Sequence, residues 1–373
     1  MNEIYREDAS IVLRYAHHLK DVDRTSLEQV SRREGARIVG LGRVRQTDLY
    51  ALDMSTLSTN GTFKDWVATL AVARARATGR TRILFQSSGN TANALTSYAA
   101  HAGLHSLGLY PPTSRGRIHG ALAGPGHEFV EIDTTESRIK EILGDVSRDT
   151  GVPALPTLED QYAGNKLRAR FVRDAEAHTG IHWNWHVQAL SSAYGPLGFY
   201  RGLAEMGGPT HQWPHFLGIQ QEAVHPFADA LSGTPRSDPS GRMLEPTLFR
   251  RILSKDLVEE VRGICQTTAG HVRVLSDAHY LAREAEALDR LHDAGIHICL
   301  TPEGEPYERA GLYSLLGALD AIRDGIILPG SSVLIAHTGG AGYCRHTPYQ
   351  PEHILQADTA APQIAKLLDG QKR

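Results

Sequence analysis

Short apolar runs alternate with longer segments of helical periodicity from about residue 37 onward. Runs such as 82–85 and 332–337 are rich in β-branched and other apolar residues, which is typical of strands buried on both faces. The intervening segments place apolar residues three and four positions apart, as amphipathic helices do. This alternation predicts an α/β fold in which crossover helices join parallel strands.

The same pattern predicts the individual elements. Strands are expected at 48–52, 82–85, 106–110, 128–132, 186–190, 215–219, 272–275, 297–300 and 332–337. Helices are expected at 64–77, 91–102, 136–149, 166–178, 199–206, 278–293 and 310–323. A soft boundary near residue 180 divides the chain into two predicted α/β lobes, 1–180 and 181–373, each with its own parallel sheet.

One stretch interrupts the alternation. Residues 232–246 are rich in Pro, Gly and Ser and are long for a connection in a compact domain. We expect an exposed excursion there, either a lid or a simple insertion.

Composition narrows the class of partner. The 39 basic and 42 acidic residues leave a formal charge of −3, too weak a field to recruit nucleic acid or an anionic membrane by itself. No run of about 18 apolar residues and no secretory leader is visible. These features predict a cytoplasmic protein that acts on small molecules.

Cysteine and histidine usage predicts neither a disulfide nor a metal. The three cysteines, Cys265, Cys299 and Cys344, stand far apart with no CxxC pair, which favours a reducing compartment. His182 and His186 have the spacing of a metal pair, but they lead into a predicted strand, where that spacing does not place both rings on one helix face.

Lys64 is the first candidate for chemistry. The chain has 7 lysines against 32 arginines, so each lysine position is informative. A Thr-Asn-Gly turn at 59–61 places Lys64 in the first turn of the predicted helix. The positive end of the helix dipole disfavours an ammonium there, which would make the amine a nucleophile able to form a Schiff base. A surface lysine paired with Asp65 or Asp23 is the alternative.

Three strand ends carry small polar residues. After strand 82–85 the chain reads Ser-Ser-Gly-Asn-Thr from Ser87, which suits either an anion or a plain helix cap. A second loop, 192–198, enters another helix and contains Gly195 and Gly198, which permit close backbone approach. A third strand ends at Thr338, followed by two glycines. Because carboxyl strand ends face the ligand crevice of an open α/β sheet, these loops are candidate binding segments. Neither GxGxxG nor Walker A occurs, so a dinucleotide or NTP site has little support.

Together these segments resemble the pyridoxal-phosphate enzymes of the tryptophan-synthase-β type, within them the threonine synthase and cysteate synthase branch. The resemblance covers roughly residues 38–345 and rests on Thr62-Phe63-Lys64-Asp65, Ser88-Gly89-Asn90-Thr91, the 192–198 loop and Thr-Gly-Gly at 338–340. It implies two α/β lobes with pyridoxal 5'-phosphate in the cleft between them. Relatives of this type are commonly homodimers.

The resemblance also implies roles for individual residues. Lys64 would hold the cofactor as a Schiff base and carry the α-proton, Asn90 would bond its phenolic oxygen, and Thr338 would face its pyridine nitrogen. The cofactor phosphate would lie in the loop formed by Ser192, Ala193, Tyr194, Gly195 and Gly198. Ser87, Ser88 and Thr91 would bind the substrate carboxylate.

The chain departs from the family pattern in three places. Trp66 replaces the Arg that usually follows Lys-Asp, the phosphate loop is poorer in glycine than in relatives, and the zinc-like or Tyr-Cys-Cys opening of some threonine synthases is missing. A substrate phosphate would need basic residues, and Lys166 and Arg170 share one predicted helix face while Arg168 points away. Only Asn165 and the basic character of the Asn-Pro-x-Arg motif of threonine synthases are found there, and a solvated basic helix face is the alternative.

The resemblance implies β-replacement or β-elimination on an activated amino acid such as O-phosphoserine, through an aminoacrylate, as in cysteate synthase. Two alternatives stay open. One is threonine synthase-like γ-elimination and replacement on O-phosphohomoserine. The other is a non-catalytic relative that binds pyridoxal phosphate or an amino acid.

Overall fold

The computed structural model describes residues 3–87, 89–233, 243–344 and 347–370. Its strands are β1 (Glu3–Glu7), β2 (Ala36–Val44), β3 (Thr47–Asp53), β4 (Arg82–Gln86), β5 (His105–Tyr110), β6 (His127–Asp133), β7 (Trp185–Ala189), β8 (His215–Gln221), β9 (His271–Leu275), β10 (Ser332–His337) and β11 (His353–Gln356). Its helices are α1 (Ile11–Arg14), α2 (Arg24–Val30), α3 (Lys64–Ala77), α4 (Asn90–His101), α5 (Glu136–Thr150), α6 (Leu158–Thr179), α7 (Tyr194–Met206), α8 (Pro226–Ser232), α9 (Lys255–Thr268), α10 (Asp277–Asp293), α11 (Ala310–Arg323) and α12 (Ala357–Gly370). The predicted α/β class is confirmed.

Contacts between residues divide the chain into two compact units. The first comprises Met1–Ile11, Gly35–Phe63 and Asn165–Tyr343, and the second comprises Val12–Glu34, Lys64–Gly164 and Cys344–Arg373. This partition differs from a single cut near residue 180, because β1, β2 and β3 belong to the same sheet as the later strands.

The first unit contains a seven-stranded sheet in the order β1-β2-β3-β10-β7-β8-β9. Neighbours from β3 to β9 pair in parallel, whereas β2 pairs in antiparallel fashion with β1 and β3. Helix α11 packs on this sheet through a buried apolar face that includes Leu312, Leu315 and Leu319. Burial of such faces is the main favourable term in the stability of the unit.

The second unit contains a four-stranded parallel sheet in the order β11-β6-β5-β4. Its core joins Leu107, Leu109 and Val130 of the sheet to Ile139 of α5 and Ile364 of α12. None of the described helices is long and apolar enough to span a bilayer.

Most of the predicted elements are present within one or two residues of their expected ends. Strand 297–300 is wrong: Leu300 makes only an isolated bridge with Pro306. The physical reason is the hydrogen bonding of the backbone. The Cys299 N–H donates to the Gly340 carbonyl, and the Cys299 carbonyl accepts from the Tyr307 N–H, so both partners lie in loops and not in a neighbouring strand. Strands β1, β2 and β11 were not predicted.

The 232–246 stretch is only partly described, since 234–242 lie outside the described residues. Its C-terminal end is not exposed as expected. Glu245 is 0% exposed, and its carboxylate accepts from the backbone N–H groups of Thr247 and Arg309. These bonds anchor the end of the stretch in the first unit.

The expectation of no disulfide is wrong. Cys299 and Cys344 are disulfide-bonded, whereas Cys265 is a free, partly buried thiol. Wide spacing in sequence does not report which cysteines a fold brings within bonding distance.

Candidate active site

Lys64 begins α3, as predicted, and the turn before it is tied to the end of β10. The Phe63 N–H donates to the Thr338 carbonyl over 3.0 Å, and the Thr62 hydroxyl donates to the same oxygen over 3.2 Å. Gly61 has a φ of +64°, and a Cβ there would overlap the backbone of Gly342. The sequence needs glycine at this turn because of this close approach. Lys64 itself is partly buried.

Thr338 follows β10 directly and is 6% exposed. Its neighbour His337 is paired with Asp53 on the adjacent strand β3. Asp53 is in turn paired with Arg37 on β2. The Asp53 carboxylate accepts from Arg37 Nε at 2.9 Å and from the N–H and hydroxyl of Ser55. A row of buried polar side chains therefore crosses three strands beside Thr338.

Burial shapes the ionisation of this row. Burial by itself would raise the pKa of Asp53, but charge interactions with His337 and Arg37, together with hydrogen bonds, lower it below the usual value. Burial lowers the pKa of His337, although the negative charge of Asp53 acts to raise it. His337 is therefore neutral near pH 7, and Arg37 is the cation that balances Asp53.

The predicted phosphate loop 192–198 is mostly helical, because α7 begins at Tyr194 and not near Phe199, and only Ser192 and Ala193 of this segment lie between β7 and α7. Ala193, the N-cap, is in the left-handed region with a φ of 59°, and its side chain makes no capping hydrogen bond. The first backbone N–H groups of a helix have no carbonyl partner within it, so this end suits an anion. Ser192 and Tyr194 are partly buried, and Gly195 and Gly198 are buried.

Both glycines of this segment, which lie in the first two turns of α7, are required because neighbouring side chains pack closely against them. A Cβ on Gly198 would overlap Asn165 of α6, and a Cβ on Gly195 would overlap the amide of Gln188 and lie 3.1 Å from Arg168 Nη1. The first turn of α7 is thus in direct contact with Gln188 and with the guanidinium of Arg168.

Arg168 is the functional candidate that sequence reasoning missed. It is 0% exposed. Its Nη1 donates to Gln188 Oε1 at 3.0 Å, and its guanidinium lies 4.3 Å from the centre of the Phe63 ring. Its Nε and Nη2 have no hydrogen-bond partner among the described residues. Burial lowers the pKa of Arg168 to about 9, so the group is charged at neutral pH.

A signal for Arg168 was present in the sequence. It stands three residues after Asn165, which is the spacing of the Asn-Pro-x-Arg motif. Lys166 and Arg170 are the two residues predicted to bind a substrate phosphate. Lys166 forms an ion pair with Glu205, and Arg170 is partly buried. Arg168 does point away from Lys166 and Arg170, as expected, and the face on which it lies is the buried face of α6, which also carries Leu167 and Phe171.

The second unit holds the other predicted loop. The Ser87 hydroxyl accepts from the N–H groups of Gly89 and Ala92, so Ser87 caps α4. Asn90 is the first residue of α4, and Asn90 and Thr91 are partly buried. Ser88 lies outside the described residues. The substrate and cofactor roles of these residues stay predictions.

Two histidines of the first unit, His182 and His225, lie beside carboxylates, whereas His186 is packed in the core. His182 lies 3.0 Å from Glu176, and His225 lies 3.5 Å from Asp229. His186 is fully buried beside Phe199, and burial, followed by the charge of Arg168, lowers its pKa to about 3. His186 is therefore a neutral core side chain.

These residues fit the cofactor that the resemblance implies. The first unit offers the start of α7, where the N-cap Ala193 supplies no side-chain cap and the first backbone N–H groups suit the cofactor phosphate. It also offers the buried hydroxyl of Thr338, which suits a ring nitrogen. Lys64, which directly follows Phe63 in the chain, is a partly buried lysine that suits the cofactor aldehyde.

Comparisons with known proteins agree with this chemistry. The family model "Pyridoxal-phosphate dependent enzyme" matches residues 36–301. Threonine synthase of Mycobacterium tuberculosis (strain ATCC 25618 / H37Rv) is 26% identical over 301 residues, which cover 77% of this chain and 75% of that protein.

Solved structures with the same fold include PLP-bound threonine synthase from Brucella melitensis, with a TM-score of 0.67 and 10% identity over 99% of this chain and 90% of that one. O-acetylserine dependent cystathionine beta-synthase from Helicobacter pylori has a TM-score of 0.55 and 16% identity over 87% and 98% of the two chains. The chain belongs to the pyridoxal-phosphate dependent enzyme family, and its cofactor is pyridoxal 5'-phosphate.

Proposed function

We propose that this chain replaces or eliminates the phosphate group of an O-phosphorylated amino acid, with O-phosphoserine as the substrate and Cβ as the reacting carbon. The observation that carries the proposal is Arg168, a buried cation whose Nε and Nη2 have no partner among the described residues. A buried charge without a counterion is costly, so such a group is retained where a ligand supplies the opposite charge.

Bound pyridoxal phosphate supplies an aldehyde that condenses with amines and an electron-withdrawing ring. Lys64 provides the amine that holds the cofactor and moves the α-proton of the substrate at its Nζ atom. The backbone N–H groups of segment 192–198, which includes the first turn of α7, hold the cofactor phosphate. Ser87, Ser88 and Thr91 hold the substrate carboxylate, and Asn90 orients the cofactor ring.

Thr338 gives the proposal its reaction class. A hydroxyl carries no charge, so it stabilises a protonated ring nitrogen less than a carboxylate would. That environment favours loss and replacement of a leaving group over transamination. We expect a small nucleophile such as sulfite to take the place of phosphate.

A second candidate is γ-replacement on O-phosphohomoserine. The curated relatives that match most of this chain are named threonine synthases, and this observation favours it. The two candidates share the phosphate leaving group and therefore the need for Arg168.

The test is phosphate release by the cofactor-loaded protein from O-phosphoserine and from O-phosphohomoserine, with sulfite, sulfide or water as acceptor and with product identification. We expect release from O-phosphoserine and a product altered at Cβ. Release from O-phosphohomoserine alone would establish the second candidate. If neither compound releases phosphate and no amino acid exchanges its α-proton in deuterated water, the chain is a non-catalytic relative and the proposal is wrong.

Replacing Arg168 tests the observation behind the proposal. We expect Arg168→Gln to lower kcat/KM for the phosphorylated substrate by about 10²-fold, since a charge-assisted bidentate contact is lost. Lys166→Gln, which removes a partly exposed cation two residues away, is the matched control and should leave kcat/KM within about threefold.

A further inference from the structure

Gln188 connects the buried guanidinium to the start of α7. It lies on β7, is 5% exposed, and accepts the Nη1–H of Arg168 at 3.0 Å. Its amide nitrogen fills the space that a Cβ on Gly195 would need. One side chain therefore contacts both the cation and the helix start.

We propose that Gln188 is a positioning residue that fixes the Arg168 guanidinium against α7 without neutralising it, and so keeps one bidentate edge available to a phosphate monoester. This inference rests on the proposed function, in which Arg168 binds phosphate.

The geometry of the guanidinium supports the inference. Nη1 is occupied by Gln188, and one face of the group lies over the Phe63 ring. The two atoms without a partner in the described chain, Nε and Nη2, form the side-on edge of the guanidinium fork. This edge matches two oxygens of one phosphate.

The charge balance around Arg168 supports it as well. The hydrogen-bond acceptor at Nη1 is a neutral amide, and an isosteric carboxylate at the same position would form a buried ion pair. The nearest titratable side chain on the same face of β7 is His186, which is neutral at pH 7. A carboxylate at this position would compete with a bound phosphate for the charge of Arg168, whereas the neutral amide of Gln188 does not.

The variant Gln188→Glu separates these two roles, because it keeps the shape of the side chain and adds the missing counter-charge. We expect Gln188→Glu to unfold at a temperature equal to or above that of the wild type, and to bind phosphate groups at least about tenfold more weakly. Gln220→Glu is the matched control, since Gln220 is buried on the neighbouring strand β8 and bonds the N–H of Ala228. This control should leave phosphate binding unchanged.

Two assays identify which phosphate is bound. The first measures the affinity of the apo chain for pyridoxal phosphate and for pyridoxal by fluorescence, so their ratio reports the cofactor phosphate. The second measures kcat/KM for O-phosphoserine and for O-acetylserine in the cofactor-loaded protein, so the ratio of the first to the second reports the substrate phosphate. A tenfold fall in either ratio in Gln188→Glu supports the inference and names the source.

Gln188→Leu provides a second variant should the glutamate variant fail to fold. It removes the acceptor without adding charge, and we expect the same ratio to fall about threefold to tenfold. If both ratios stay at the wild-type value in the folded Gln188 variants while Arg168→Gln lowers one of them, the inference about Gln188 is wrong and the proposed function stands. If Arg168→Gln also changes neither ratio, both fail.

Discussion

The polar row Arg37–Asp53–His337 shows how single residues hold this site together. Arg37 bonds Asp53 and the carbonyl of Gly295, and Asp53 also accepts from the backbone of Ser55. His337 precedes Thr338, whose carbonyl holds the turn before Lys64. The row therefore lies at the end of β10, and the Thr338 carbonyl joins that end to the turn that precedes Lys64.

Asp53→Asn should lower the free energy of unfolding at pH 7 by about 3–5 kcal/mol, because Arg37 loses the partner of a buried ion pair. The folded-state pKa of Asp53 is lowered, so its stabilisation is present above the unfolded-state pKa of about 3.9 and is lost as the pH falls through the folded value. The gap between wild type and variant should then narrow below about pH 4. Denaturant unfolding between pH 3 and 7 measures it.

The control for that measurement is Asp289→Asn, which changes an exposed aspartate of α10 and should stay within about 0.5 kcal/mol of wild type. A gap for Asp53→Asn that is the same at pH 3 and pH 7 would contradict the role assigned to its charge.

Sequence reasoning reached some of these residues and not others. Lys64 and Thr338 stand beside glycine turns that mark strand and helix ends, so local patterns located them. Arg168 was missed because a charged residue on a helix is normally assigned to the solvent face, and only tertiary packing shows that this face of α6 is buried.

At the scale of elements, α7 shows why a glycine in a helix can be indispensable. Gly195 lies in its first turn, where the side chain of Gln188 occupies the position of a Cβ. In a typical helix interior, alanine would be the more stable residue by about 0.5–1 kcal/mol. Here close contact between side chain and helix reverses that preference.

Gly195→Ala should therefore destabilise the protein by about 1–3 kcal/mol through overpacking, and should weaken phosphate binding by displacing Gln188. Gly263→Ala in α9 is the opposite case, because no atom lies within 4 Å of the added methyl. It should stabilise the protein by about 0.5–1 kcal/mol. Thermal unfolding of both variants tests the pair, and equal shifts of the same sign would refute the packing argument.

The elements that could be predicted are those whose pattern is local. Helices α3 and α11 have the predicted ends, because apolar periodicity and flanking turn residues mark them. Strand β2 was missed because Gly40, Gly42 and a bulge between them interrupt its apolar run. Residues 297–300 look like a strand, but their backbone partners lie in loops, which a sequence pattern does not report.

At the scale of the whole molecule, cofactor binding should stabilise the chain through mass action. A ligand at 100 times its Kd adds about 2.7 kcal/mol to the free energy of unfolding. We expect pyridoxal phosphate to raise the melting temperature of the apo protein, and borohydride to fix the cofactor at Lys64. In Lys64→Ala the borohydride adduct should disappear, which peptide mass spectrometry measures.

The control is Lys255→Ala, which removes an exposed lysine at the start of α9 and should retain the adduct. An adduct that persists in Lys64→Ala would show that another amine holds the cofactor.

The position of β10 has a consequence for how the protein is made. In the seven-stranded sheet it lies between β3 and β7, yet it is the last of these strands to leave the ribosome. Until residue 337 has been translated, the edges of β3 and β7 lack the partner that both require. Nascent chains shorter than this would expose two unpaired strand edges, and we expect them to depend on chaperones and to aggregate when released early.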